Sequence, residues 1–189
     1  MNSMQELKTI TAEAAIDLIL QGKPVRDSHI TGELRIDYKK EWDGELLIEN
    51  CIVDNMAAPA AEFRGAVNLI NSRFSKTSFH GAYFPNGLTI DKCIFETYTD
   101  FEAGGHNEIP NPFRIINSKF HDFVNFFDCW FKGEVIVMDN VFAGGTNLLG
   151  NKHEPFRVHF DIEPRIENNK GNTDLDGEGD KIVNTIFLI

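Results

Sequence analysis

The sequence predicts an all-β fold, a parallel β-helix of about five full coils preceded by a short capping helix. Three observations predict it. A segment of 21–25 residues recurs along the middle of the chain, and a five-residue period runs inside that segment. The aromatic residues are also skewed, with 16 Phe against 3 Tyr and 2 Trp. A core built from one large residue type indicates one geometric position used many times.

The longer repeat is marked by a tetrad. It begins with Asn, Asp or Lys, continues with a small residue or Asn and then any residue, and ends in an apolar one. The last residues of successive tetrads are separated by 21, 21, 25 and 22 positions. The five tetrads are Asn50–Val53, Asn71–Phe74, Lys92–Phe95, Asn117–Phe120 and Asp139–Phe142.

The chain can be divided into groups of five residues. The third residue of each group is large and apolar, and the first is small or β-branched. Side chains alternate along a strand, so both positions point inward and the others face solvent or form a corner. Four such groups close one coil with four faces, and stacked coils share one core. The third positions assigned in this way are Ile48, Val53, Ala58, Phe63, Leu69, Phe74, Phe79, Phe84, Ile90, Phe95, Ile115, Phe120, Phe126, Phe131, Val137, Phe142 and Leu148.

This pattern, small-x-Phe/Leu-x-x, resembles the pentapeptide-repeat family over about residues 28–160. The resemblance implies a right-handed, quadrilateral β-solenoid. The sequence departs from the family at first positions, where Val, Leu, Cys, Thr and Phe often replace the Ala that the family prefers. It is therefore similar to a degenerate member of the family.

Residues 1–27 are predicted to form an N-terminal segment with a capping helix. Thr11 can cap a helix over residues 12–21, and Gly22 can end it. Its expected apolar face is Ile16, Ile19 and Leu20. The first coil is expected to be incomplete, because only twelve residues separate Leu34 from Leu46.

The C-terminal part, residues 161–189, is expected to lie outside the repeat. The last coil is expected to begin at Phe156–Val158, 21 residues beyond Val135–Val137. After Phe160 the pattern is lost, and an acidic, Gly-rich loop leads to a strand over Ile182–Ile189. That strand is expected to cap the solenoid or to form a homodimer contact.

Two places interrupt the regular pattern and supply candidate binding residues. The third full coil is longer than its neighbours, so residues 99–110 are expected to bulge as a loop. In it, Asp100, Glu102, His106 and Glu108 form either a carboxylate–histidine cluster for a metal or acid–base chemistry, or a solvated surface loop.

The second candidate is an outward aromatic stripe. Tyr83 and Trp130 occupy second positions on the fourth face, two coils apart, with Phe123 and Phe127 nearby. Such a stripe binds sugar or protein, or is covered by the tail or a partner chain. Cys51, Cys93 and Cys129 occupy inward first positions and are interpreted as small buried residues.

The composition narrows the function. A net charge of −11 disfavours direct binding to nucleic acid or an anionic membrane. No signal peptide or membrane span is expected, and three widely spaced cysteines favour a reducing cytoplasm. No cofactor and no metal centre are predicted.

The sequence favours a non-catalytic protein-binding or scaffold solenoid with an unknown protein partner. One alternative is an acidic DNA mimic that binds a topoisomerase, as the family resemblance implies. The other is a carbohydrate-active enzyme of the parallel β-helix type.

Overall fold

The computed structural model describes residues 7–36 and 42–178, which form a β-solenoid of about six turns with one short helix. The helix, α1, spans Ala12–Leu20. The strands are β1 (Lys8–Thr11), β2 (Val25–Arg26), β3 (Ser28–Arg35), β4 (Leu46–Glu49), β5 (Ile52–Ala57), β6 (Val67–Ile70), β7 (Arg73–Phe74), β8 (Thr77–Ser78), β9 (Leu88–Asp91), β10 (Ile94–Phe95), β11 (Thr99–Asp100), β12 (Phe113–Ile116), β13 (Lys119–Phe120), β14 (Val124–Asn125), β15 (Trp130–Phe131), β16 (Val135–Met138), β17 (Val141–Phe142), β18 (His159–Phe160) and β19 (Arg165–Glu167).

Every strand pairs in parallel with the equivalent strand of a neighbouring coil. The first face is a seven-stranded sheet in the order β19-β16-β12-β9-β6-β4-β2. The second and third faces share a ten-stranded sheet, because β3 and β5 each run around the corner between them. The fourth face consists of single bridges and the pair β15–β18. The predicted solenoid is therefore confirmed.

The core consists of columns of like residues that run through the coils. All of the predicted third-position residues are buried, and none is more than 1% exposed. On the second face the rings of Phe74, Phe95, Phe120 and Phe142 stack with centroid separations of 5.0, 4.6 and 5.1 Å. On the third face Phe101 stacks between two further phenylalanines at 5.0 and 5.1 Å.

A ladder of small polar residues accompanies the phenylalanine column of the second face. The Ser72 and Ser118 hydroxyls accept from the backbone N–H of Cys51 and Cys93, each at 3.0 Å. The side chain of Asn140 accepts from the Ser118 N–H at 2.9 Å. These bonds satisfy backbone N–H groups that are buried. Leaving one such group without a partner would cost about 1–3 kcal/mol.

The N-terminal end is covered by α1, as the sequence predicts, and also by β1, which the sequence did not predict. The Thr11 hydroxyl accepts from the Ala14 N–H at 3.3 Å, and α1 packs against β3. One detail of the predicted apolar face is wrong. Leu20 is 49% exposed, and the buried side of the helix is formed by Ala12, Ala15 and Ile19.

Described residues of the first coil stand on all four of its faces, so the expected shortfall there is wrong. It begins at Val25, where β2 pairs with β4, and Trp42 supplies its fourth face by bridging to Phe63. Two features of this coil explain why the sequence pattern did not show it. Its strand on the first face has only two residues, and its residue on the fourth face is Trp instead of Phe.

The expected start of the last coil at Phe156–Val158 is also wrong. Ile166 pairs with Val137, whereas His159–Phe160 pair with Trp130–Phe131 on the fourth face. Residues 149–157 are therefore an inserted loop that precedes the fourth face. The coils then continue past the expected limit at 160, because β19 extends the first face and Leu175 is buried at 6% exposure.

The expected terminal strand over Ile182–Ile189 lies outside the described residues. Within residues 7–36 and 42–178, no helix has the length and apolar character needed to cross a membrane.

Candidate functional site

Large exposed apolar side chains of the described residues lie on the fourth face, at its corners and in the inserted loop before it. Their exposed fractions range from 37% to 72%. Among the described residues, only Leu20 of α1 is a large apolar residue exposed elsewhere. We call this surface the aromatic face, and its members are Tyr83, Ile109, Trp130, Leu149, Phe156 and Ile162.

The structure places Tyr83 and Trp130 on one face and two coils apart, as the sequence predicts. The backbone of Gly105 bridges to both of them. Gly105 has φ +95°, and a Cβ there would lie 2.8 Å from the carbonyl oxygen of Trp130. Only glycine fits this position, so the bridging residue itself places no side chain between the two rings.

His106 fills the space that Gly105 leaves open. Its φ of +56° turns the imidazole outward, and the ring centroid lies 4.0 Å from that of Tyr83 and 5.7 Å from that of Trp130. The interior position that the repeat would give to this residue is taken over by Phe113. The Phe113 ring lies 5.9 Å from Phe84 and 4.8 Å from Phe131.

Charged groups surround Trp130. Its indole N–H donates to Asp161 Oδ1 at 2.9 Å, and Lys132 Nζ lies 5.4 Å from the centroid of its ring. Burial, and then the Lys132 charge, lower the pKa of His106. Protonation of the imidazole between the two aromatic rings is thus disfavoured.

A cleft of about 780 Å³ lies beside Trp130, under the inserted loop. The sequence did not reveal it, because residues 149–157 were assigned to a regular coil. Recognising the loop requires the pairing of Trp130 with His159, which only the structure provides. The charged and imidazole groups that line the cleft are Asp128, Lys152, His153, Glu154, Arg157 and His159.

Two sequence expectations about this region need correction. Phe123 is buried at 2% exposure and stacks on Tyr98, so it does not belong to an exposed stripe. Residues 99–110 also do not bulge as one loop. Thr99–Asp100 form β11 and Phe101 is in the core, so only the exposed residues 108–110 project at the following corner.

The four predicted residues of that segment separate into different surroundings. His106 belongs beside the aromatic face, and Glu108 Oε1 lies 3.9 Å from Lys132 Nζ. Asp100 and Glu102 instead meet His80 of the preceding coil, where one possible ligand atom from each lies within 4.8 Å of the others. Aligning the coils with one extra residue before Thr99 would have placed His80 beside Glu102.

The cysteines offer no reactive thiol. All three are free and buried, and burial raises the pKa of Cys93 to about 12 and that of Cys129 still further. The Cys93 thiol donates to the carbonyl of Leu69 at 3.2 Å. A thiol held protonated in this way is a poor nucleophile.

No known protein family, curated protein or solved structure matches this chain. The fold is therefore established by the parallel pairing of the strands, and the proposed function depends on the geometry of the surface.

Proposed function

We propose that this protein is a non-catalytic binding solenoid that holds a protein partner on its aromatic face. The observation that supports the proposal is that, outside α1, the large exposed apolar side chains of the described residues lie on the fourth face, at its corners or in the inserted loop before it. Tyr and Trp are the side chains that most often dominate protein interfaces. An exposed apolar cluster with a polar rim is typical of an interaction surface.

The aromatic face is also pre-organised. Tyr83 and Trp130 stand on paired backbone, and the ring of His106 packs between them. Binding through rings that are already ordered costs less conformational entropy than binding through mobile loops. Lys132, Glu108 and Asp161 provide charges around the rings that can select one partner over others.

A non-catalytic role is supported by the hydrogen bonds of Asp100 and Glu102. The side-chain amide of Asn125 donates to Asp100 Oδ1 at 3.3 Å and to Glu102 Oε2 at 2.9 Å. The amide thus bridges the two carboxyl groups directly, whereas the two catalytic carboxyl groups of a glycosidase flank the scissile bond. This argues against the carbohydrate-active alternative at this pair.

The DNA-mimic alternative has less support, because acidic side chains are interspersed with basic partners. Arg26 lies 2.6 Å from Glu49, and Arg73 lies 2.8 Å from Glu96. We retain membership of the pentapeptide-repeat family, a cytoplasmic location and a homodimer contact through Ile182–Ile189 as parts of the proposal.

The test is affinity capture from an extract of the native cell with full-length protein. We expect a protein that the wild-type chain retains and that the double variant Tyr83→Ser/Trp130→Ser loses. The control Arg73→Ser/Lys119→Ser carries two substitutions on the second face and should retain it. An identical set of captured proteins for all three chains would exclude the aromatic face. Capture of a protease-resistant polysaccharide would mean that the partner is a sugar and not a protein.

A further inference from the structure

His80, Asp100 and Glu102 form a compact cluster on the third face. His80 follows β8 and Asp100 ends β11, so pairing of these two strands brings the side chains together. His80 Nδ1 lies 3.4 Å from Asp100 Oδ2. The His80 side chain is 53% exposed and that of Asp100 is 18% exposed, so the cluster is open to solvent on one side.

The carboxylates of this cluster are held in a fixed orientation. Asp100 Oδ1 accepts from the Glu102 N–H at 3.0 Å and from the Asn125 amide, which leaves Oδ2 directed at His80. Asn125 cannot turn over freely, because its Oδ1 accepts from Asn147 Nδ2 at 2.8 Å and from the Phe127 N–H at 3.1 Å. The cluster therefore brings one nitrogen and two carboxylate groups within 4.8 Å of one another, with the Asp100 carboxylate held in place.

The charge of the cluster distinguishes it from the histidine–carboxylate pair at His121. At His121 the carboxylate of Glu96 is 2.9 Å away, but the guanidinium of Arg73 neutralises that carboxylate at 2.8 Å. Within residues 7–36 and 42–178, no Lys or Arg forms an ion pair with Asp100 or Glu102. Two adjacent carboxylates with no cation beside them repel each other, and a bound cation would relieve that repulsion.

We propose that His80, Asp100 and Glu102 bind a divalent transition-metal ion of the Zn²⁺ type. Two ligands of a tetrahedral zinc ion, with bonds of about 2.0–2.1 Å, lie about 3.3 Å apart. The His80–Asp100 separation of 3.4 Å fits this value. Imidazole with two carboxylates suits such an ion better than Ca²⁺ or Mg²⁺, which prefer oxygen ligands alone. The solvent side leaves room for water or a partner's side chain as a fourth ligand.

The experiment is isothermal titration of the full-length, metal-free protein with Zn²⁺ at neutral pH. We expect the wild-type chain to show a site that His80→Ala and the double variant Asp100→Asn/Glu102→Gln each weaken at least tenfold. The matched control His121→Ala removes the histidine that sits beside an arginine-neutralised carboxylate, and it should bind Zn²⁺ like the wild-type chain.

A thermal-unfolding series separates loss of the site from loss of the fold. Without metal, His80→Ala should unfold near the wild-type temperature, because His80 is exposed. With Zn²⁺ the melting temperature should rise for wild type and His121→Ala only. Zn²⁺ binding by His80→Ala equal to that of wild type, or equal binding of Ca²⁺ and Zn²⁺ by the wild-type chain, would overturn the proposal. So would the absence of Zn²⁺ binding by the wild-type chain.

Discussion

At the scale of single residues, backbone conformation rather than side-chain type decides which way a residue points. His106 stands where the repeat places a large inward residue, yet its positive φ turns the imidazole outward between Tyr83 and Trp130. The space inside is filled by the ring of Phe113, which lies 4.8 Å from that of Phe131. A single left-handed residue thus converts a core position into part of a surface site.

Replacement of Lys132 by Gln should raise the pKa of His106 toward its ordinary value. The Lys132 charge is one of the two causes that lower this pKa, and the larger one, burial, remains. NMR titration of the His106 ring in wild type, Lys132→Gln and the control Lys119→Gln measures the effect. An unchanged His106 pKa in Lys132→Gln would contradict the influence of the Lys132 charge on this imidazole.

The sign of the associated pH dependence follows from the same shift. A lowered pKa in the folded state means that acidification through about 6.5 protonates the unfolded chain first. His106 therefore lowers the free energy of unfolding as the pH falls through that range and has no such effect above it. The loss should be smaller in Lys132→Gln, as measured by urea unfolding at pH 7.5 and 5.5.

At the scale of elements, columns of side chains stabilise strands that are too short to be stable alone. The strands β7, β10, β13 and β17 contain two residues each. What joins them is the continuous stack from Phe74 to Phe142 and the polar ladder beside it. Each of these strands is therefore stabilised chiefly by the strands of the coils on either side of it.

Replacement of Phe120 by Ala should lower the free energy of unfolding by about 3–5 kcal/mol. Phe120 is fully buried and its ring contacts one phenylalanine above and one below, so the substitution leaves a cavity inside the column. Urea unfolding followed by circular dichroism measures the change. The same substitution at Phe156, which is 52% exposed, should change stability by less than about 1 kcal/mol. Equal losses at the two positions would show that the column does not hold these strands.

At the scale of the whole molecule, the two ends of the solenoid are covered in different ways. The N-terminal end is covered by α1 and β1. At the other end the chain continues beyond the inserted loop into a further part-coil, in which β19 pairs with β16 and Lys170 bridges to Val141. Leu175 then packs close to Gly145 and Gly150, where an added Cβ would meet it.

A chain that ends at residue 160 should be less stable than one that ends at residue 178. The shorter chain lacks β19 and Leu175, so the edge of β16 and the end of the core become exposed. Urea unfolding of the two chains compares their midpoints. Equal midpoints would mean that the part-coil contributes nothing, and the solenoid would then end where the sequence pattern does.

Light scattering on the full chain and on the chain that ends at residue 178 tests the proposed dimer contact. We expect a dimer for the full chain and a monomer for the shorter one. The same state for both would remove the homodimer part of the proposal.

The sequence by itself determined the solenoid, the identity of the inward residues, the Thr11 cap and the shared face of Tyr83 and Trp130. These features depend on a local period and on the alternation of side chains along a strand, and both can be counted along the chain. Only the tertiary structure decided that His80 meets Asp100 and Glu102, that residues 149–157 form a loop over a cleft, and that the coils continue to Leu175. A corner can absorb extra residues without moving the strands on either side of it. The register between coils is therefore set by backbone pairing and core packing across them, and counting along one strand cannot reveal it.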